Sequence, residues 1–175
     1  LFLEHGGRIF NTAGDSVLAE FQSAVSAVLC ATEFQKLIKQ RNASVEASSQ
    51  MRFRVGINMG DVIVEGTNLY GDGVNVAARL EALSQPDGVS LSKSIHDFVS
   101  QKVELNFADL GNQKVKNTVI HAFDVSIEGV ENRVLEAASV KDTDGGIESG
   151  KPPTIAVLPF KNMSNDEEQE YFADG

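Results

Sequence analysis

Within residues 1–125, stretches whose apolar side chains alternate one position on and one off are interleaved with stretches whose apolar side chains recur every three or four positions. Such a chain must layer strands against helices, because neither element buries its apolar face alone. Residues 8–11 and 16–21 are strand-like runs separated by Thr12-Ala13-Gly14-Asp15, whose Gly and Asp favour a turn, so a β-hairpin is expected. From 23 to about 41 the spacing of Ala24, Ala27, Val28, Ala31, Phe34 and Ile38 predicts an amphipathic helix with Ser23 as its N-cap. Residues 52–59 alternate again, and Gly60-Asp61 leads into 62–65, which predicts a second hairpin followed by a loop over 66–73. Asp72 stands where an N-cap belongs, and Val74, Ala77, Ala78 and Ala82 ahead of Pro86 predict a helix over 73–84. A strand at 89–91, a helix near 93–100 and strands at 105–110 and 122–125 complete an α+β chain. Its sheet is expected to be mainly antiparallel, with helices on one face.

Charge sets the expected boundaries. Residues 126–150 carry six acids against two bases and end in Asp144-Gly145-Gly146-Ile147-Glu148-Ser149-Gly150, so 126–153 reads as an acidic flexible linker. Residues 154–175 form a separate short segment, and 1–125 is the folded unit. The formal net charge of −10 opposes contact with nucleic acid or anionic lipid. With Cys30 as the one cysteine, neither an intrachain disulfide nor a cysteine metal cluster can be built, and a reducing, cytoplasmic setting is expected. No apolar run reaches the length of a bilayer span, so no direct membrane contact is expected from this segment. The start, Leu1-Phe2-Leu3-Glu4-His5-Gly6-Gly7, reads as a piece cut from something longer.

Two places could carry chemistry. Asp15, at the tip of the first hairpin, presents a carboxylate of the kind that holds a hard cation, although Gly14-Asp15 also serves as ordinary turn chemistry. Asn75 and Arg79 lie four apart on the predicted helix, so an amide and a guanidinium share a face and could meet a sugar and a phosphate; a solvated polar face has the same spacing. Lys114 and Lys116 flank Val115 near the last strands, where a strand-borne lysine could reach a phosphate, although an exposed pair is the commoner arrangement. Cys30 reads as a buried structural thiol, and His5, His96 and His121 have no metal-ligand spacing.

Three stretches, Gly7-Arg8-Ile9-Phe10-Asn11-Thr12-Ala13-Gly14-Asp15, Phe53-Arg54-Val55-Gly56-Ile57-Asn58-Met59-Gly60-Asp61 and Tyr70-Gly71-Asp72-Gly73-Val74-Asn75-Val76-Ala77-Ala78-Arg79, together resemble the class III nucleotidyl cyclase catalytic domain, in its bacterial branch. The resemblance covers residues 1 to about 125. It implies a ferredoxin-like, antiparallel-dominated sheet that is incomplete at the N-terminus, and an adenylate cyclase converting ATP to cyclic AMP and pyrophosphate. A guanylate cyclase and a non-catalytic nucleotide-sensing dimerisation module are the alternatives. Residue by residue it implies that Asp15 is one of two metal aspartates for two Mg²⁺ or Mn²⁺ ions, that Asn75 orients the ribose, and that Arg79 stabilises charge on the α-phosphate. Lys116 falls near a triphosphate-binding lysine, and Asn11 and Asn68 fall at the base-reading positions, where two amides leave ATP against GTP open. The first metal aspartate of the family belongs to an opening strand upstream of this hairpin, so the fragment is expected to lack it and to be inactive alone. A homodimer with shared active sites is implied. Residues 154–175 resemble the start of a TolB-like region.

Overall fold

The computed structural model describes residues 1–13, 16–65, 68–128, 130 and 133. The expected C-terminal segment 154–175, and the linker apart from 126–128, 130 and 133, lie outside the described residues. The elements in chain order are β1 (Gly7–Ala13), β2 (Ser16–Phe21), α1 (Ala24–Asn42), β3 (Val55–Ile57), β4 (Ile63–Glu65), β5 (Asn68–Tyr70), α2 (Asp72–Leu83), β6 (Val89–Ser92), α3 (Lys93–Val99), β7 (Phe107–Val115) and β8 (Thr118–Val125). The α+β class and the antiparallel dominance expected from the sequence are what the structure has. In the main sheet, of order β3-β6-β8-β7, only the β3–β6 pair is parallel. β1 and β2 form a separate antiparallel hairpin, as do β4 and β5.

α1 starts as the sequence predicts. The Ser23 hydroxyl accepts a hydrogen bond from the Ser26 N–H at 3.3 Å, and Lys39 and Arg41 lie in the last turn, where a cation complements the helix dipole. α2 begins one residue early. Gly71 is its N-cap, with Asp72 as the first helical residue rather than the cap.

Two expectations are corrected. Residues 52–59 and 62–65 do not form a hairpin with each other: β3 pairs in parallel with β6, Val55 opposite Val89, while β4 turns back onto β5, inside the stretch read as a loop. Period-two alternation marks a strand without naming its partner. Here Val55, Val89 and Leu91 choose each other by entering one core. The helices also cover both faces of the sheet rather than one. Val55, Val89, Leu91, Phe123 and Val125 pack with Val28 and Ala31 of α1 and Ile95 and Val99 of α3. On the other face, Leu80 of α2 packs with Leu110, Ile120 and Ala122. Along β8 the residues 120 and 122 point one way and 123 and 125 the other, which is the two-residue period of a strand with both faces buried.

Gly56, between Val55 and Ile57, faces α2. A Cβ on it would lie 2.2 Å from both the Ala77 carbonyl oxygen and the Glu81 nitrogen, so the helix backbone rests directly on the strand. That contact fixes the height of α2 over the sheet.

Candidate active site

α2 carries both polar residues singled out from the sequence. Val74, Ala77 and Ala78 are buried as expected, together with Leu80 and Glu81, while Asn75 and Arg79 are half-buried on the helix flank. The N-terminus of the helix is held from below. The Asn58 amide donates to the Gly73 carbonyl at 3.0 Å, and the Gly73 Cα lies 3.1 Å from where a Cβ on Gly60 would sit. Gly71, with φ of +132°, passes so close to the Asp61 carbonyl that a Cβ would meet it at 2.9 Å. Further along, Arg54 and Glu81 pair at 3.1 Å beneath the helix.

Arg79 reaches the β7–β8 hairpin. Its Nη1 donates to the Thr118 hydroxyl, and no ion pair among the described residues engages its guanidinium. Val115 pairs with Thr118, so Lys116 and Asn117 make a two-residue turn in which Lys116 is exposed and has φ of +53°. A lysine in that left-handed region costs on the order of 1 kcal/mol relative to an extended one. The hairpin is pinned at its far end: the Asp109 carboxylate accepts from the Gly111 N–H at 2.7 Å and pairs with His121 at 2.7 Å. The Gly111 N–H first, and His121 second, hold the Asp109 carboxyl below the usual carboxylate range.

Asn11 and Asn68 sit on strands that the fold brings together. Phe10 of β1, Leu18 of β2, Leu69 of β5 and Val74 of α2 form one small cluster, so each asparagine is the sequence neighbour of a cluster residue. A bulge in β1 between Ile9 and Asn11 leaves Phe10 as an extra residue opposite β2. Asp15 lies outside the described residues, and among those described no three His, Cys, Asp or Glu side chains converge as a metal site. The structure therefore joins Asn75, Arg79 and the Lys116 turn, and brings the strands of Asn11 and Asn68 together by backbone position.

Beside these elements runs an apolar groove of about 280 Å³. Residues 17–22, in and after β2, and 55–60, in and after β3, line it consecutively. Both parities of each run face the groove, so what borders it is strand edge rather than sheet face. Among the described residues, β2 pairs only with β1 and β3 only with β6. α1 offers Ala27, Cys30 and Ala31 on one side of the groove, and α2 offers Val74 and Ala77 on the other.

Three residues that shape the site escape the sequence reading. Thr118 falls before the strand expected at 122–125, though its period-two spacing with Ile120 and Ala122 would have placed it facing α2. Asn58 and Gly56 sit inside a recognised strand, where nothing in the pattern separates a helix support from an ordinary strand residue. Cys30 is 1% exposed with its thiol pKa raised by burial, His5 pairs with Glu33 at 2.8 Å, and the His96 ring stacks on Phe123 at 3.8 Å.

Residues 4–127 match the family described as Adenylate and Guanylate cyclase catalytic domain. The chain belongs to that family. Among curated proteins it is 43% identical over 173 residues to "Putative adenylate cyclase 3" of Rhizobium meliloti, covering 98% of this chain and 29% of that protein. It is 29% identical over 140 residues to adenylate cyclase 1 of the same organism, covering 69% of this chain and 21% of the relative. The chain thus spans under a third of the length of either. Among solved structures, an adenylate/guanylate cyclase/hydrolase from Silicibacter pomeroyi superposes with a TM-score of 0.68 at 39% identity, covering 73% of this chain and 76% of that one. The adenylyl cyclase CyaB from P. aeruginosa shares the fold with a TM-score of 0.57 at 23% identity, covering 75% of each chain. Among the described residues, no helix of this cyclase domain is long and apolar enough to cross a membrane.

Proposed function

We propose that residues 1–125 are the catalytic domain of a cytoplasmic adenylate cyclase that converts ATP to cyclic AMP and pyrophosphate, working as a homodimer. One observation carries the reading: Arg79 reaches the β7–β8 hairpin on a neutral hydroxyl, with Asn75 one helical turn away and the Lys116 turn beside it. A guanidinium held by Thr118 keeps its charge for an anion, and two cations flanking one helix face suit a triphosphate. In the reaction the ribose 3′-oxygen attacks the α-phosphorus, the bond from that phosphorus to the β-bridging oxygen breaks, and pyrophosphate departs. Asn75 orients the ribose, Arg79 meets the charge that develops on the α-phosphate, and Lys116 takes the departing phosphates. Asn11 and Asn68 flank the base. Asp15 is the carboxylate that would hold Mg²⁺ or Mn²⁺, whose charge would offset that of the triphosphate. Residues 126–153 then serve as a linker to a TolB-like region starting at 154.

The groove between β2 and β3 supports a further part of the reading, that the domain is completed by one more strand, from upstream in the full-length polypeptide. A strand there would pair with both open edges and join the hairpin to the main sheet. In this reading it also brings the first metal aspartate, partner to Asp15, and the 175-residue piece is inactive without it.

Assayed with ATP and with GTP, each with Mg²⁺ or Mn²⁺, the full-length polypeptide should make cyclic AMP from ATP, and Arg79→Ala should lower turnover by roughly 10²- to 10³-fold. Absence of cyclic product under all four conditions rejects the cyclase reading. Nucleotide binding or self-association without turnover would favour a sensing module, which the paired amides at 11 and 68 also suit; cyclic GMP in place of cyclic AMP would make it a guanylate cyclase.

A further inference from the structure

We propose that Thr118 is a positioning residue for Arg79, and that the β7–β8 hairpin acts through it as a template for the cationic side of the site. The proposal rests on the cyclase reading for what Arg79 does, and on geometry for how Arg79 is held. A side chain with four rotatable bonds loses much of its freedom only if its tip is tied down. Two constraints do this. Leu80, the next residue, is fully buried against Leu110, Ile120 and Ala122, which fixes the helix over the hairpin. The Thr118 hydroxyl, on the same face of β8 as Ile120 and Ala122, then accepts from Nη1.

The chemistry of the acceptor matters as much as its place. A carboxylate at position 118 would also hold Arg79, but its charge would oppose the approach of a phosphate and cost desolvation when the site fills. A hydroxyl fixes direction without neutralising charge. Because Thr118 opens β8 directly after the Lys116-Asn117 turn, the segment that tethers Arg79 also carries Lys116.

The test uses Thr118→Val, which keeps the shape and removes the acceptor, and Thr118→Ser, which keeps the acceptor, both in the full-length polypeptide. With ATP as substrate, Thr118→Val should lower kcat by about 10- to 100-fold, the range expected for a hydrogen bond to a charged group. KM should stay within about twofold, and Thr118→Ser should retain most of kcat. In an Arg79→Lys background Thr118→Val should add little, since the residue acts through the guanidinium. Wild-type kcat in Thr118→Val, or an undiminished loss in the Arg79→Lys background, would overturn the proposal. A second readout needs no turnover. By NMR, rotation of the Arg79 guanidinium about its Nε–Cζ bond should be slow in wild type and Thr118→Ser and fast in Thr118→Val; fast rotation in all three would overturn it. A protein that makes no cyclic nucleotide but shows the slow signal would sink the cyclase reading while keeping the tether.

Discussion

Adding one methyl group at Gly56 should be the sharpest test of how this fold aims its site. An alanine Cβ would stand 2.2 Å from the Ala77 carbonyl oxygen and the Glu81 nitrogen, whereas ordinary contact begins at 3.4 Å, so β3 and α2 must separate by about 1.2 Å. Both obstructing atoms are backbone, so no rotamer change relieves the clash. Overpacking of this kind costs roughly 1–3 kcal/mol and sometimes more. Taking the upper end, the melting temperature of a domain this size should fall by about 10 °C. Arg79 lies between the two obstructed residues, so it must travel with them, and a misplacement of about 1 Å can cost on the order of 100-fold in rate. Circular dichroism melts would give the first number. Cyclase assays at a temperature where the variant is fully folded would give the second, as a loss in kcat. Gly111→Ala is the control: its φ of +67° makes the change strained, but nothing lies within 4 Å of the added methyl. That variant should lose about 1 kcal/mol and leave kcat alone. If Gly56→Ala melts within a degree or two of wild type and keeps its activity, the strand is not what sets the helix height, and the positional account of Asn75 and Arg79 fails.

Two other measurements report on groups whose pKa burial raises. Burial raises the Asp87 pKa, against the opposing pull of Arg52 and Lys39, so its folded value lies above the unfolded one. The stability tied to that shift is fully present below the ordinary 3.8 and is lost as pH rises through the raised value. Asp87→Asn should therefore melt higher than wild type at pH 7, with asparagine tolerating the φ of +67°, and the gap should close in acid; a lower melt at neutral pH would mean that the 3.7 Å contact with Arg52 outweighs burial. The Cys30 thiol, buried and with its pKa raised by desolvation, should react with a disulfide reagent at pH 8 far more slowly than a free cysteine. Because Cys30 lines the groove, the full-length polypeptide should protect it further; equal labelling rates would argue against a strand in that slot.

The elements were largely legible in the sequence and the pairings were not. The first hairpin, the three helices and the last strands follow from spacing of apolar residues, since each is long enough for its period to be read or is bracketed by Gly and Asp. β3, β4 and β5 are three residues each, too short for a period to say whether a strand turns back on itself or crosses to a parallel partner. The same limit hid the second layer of helix, because a strand buried on both faces shows no contrast between them. At the site, Asn75 and Arg79 could be paired from their spacing alone. Thr118 could not, because its role depends on α2 lying across β8, a contact between residues 39 apart in sequence.

On the proposed cyclase reading, that dependence couples stability to activity on one flank of this domain. Leu80 and Arg79 are consecutive, and so nearly are Thr118 and Ile120; the apolar member of each pair seats the helix on the hairpin, and the polar member ties the guanidinium. Trimming Leu80 to alanine removes a fully buried side chain from a small cluster with Leu110, Ile120 and Ala122, at a cost of about 2–5 kcal/mol. Some of that cost would be recovered by α2 settling toward the cavity, and the settling would tilt Arg79 off Thr118. Leu80→Ala should therefore lose kcat even well below its melting temperature. Trimming Val99, which is equally buried but lies in the cluster on the opposite face, should cost comparable stability and leave kcat near wild type. Equal kcat losses in the two variants would show that activity tracks global stability rather than the seating of α2 on the hairpin.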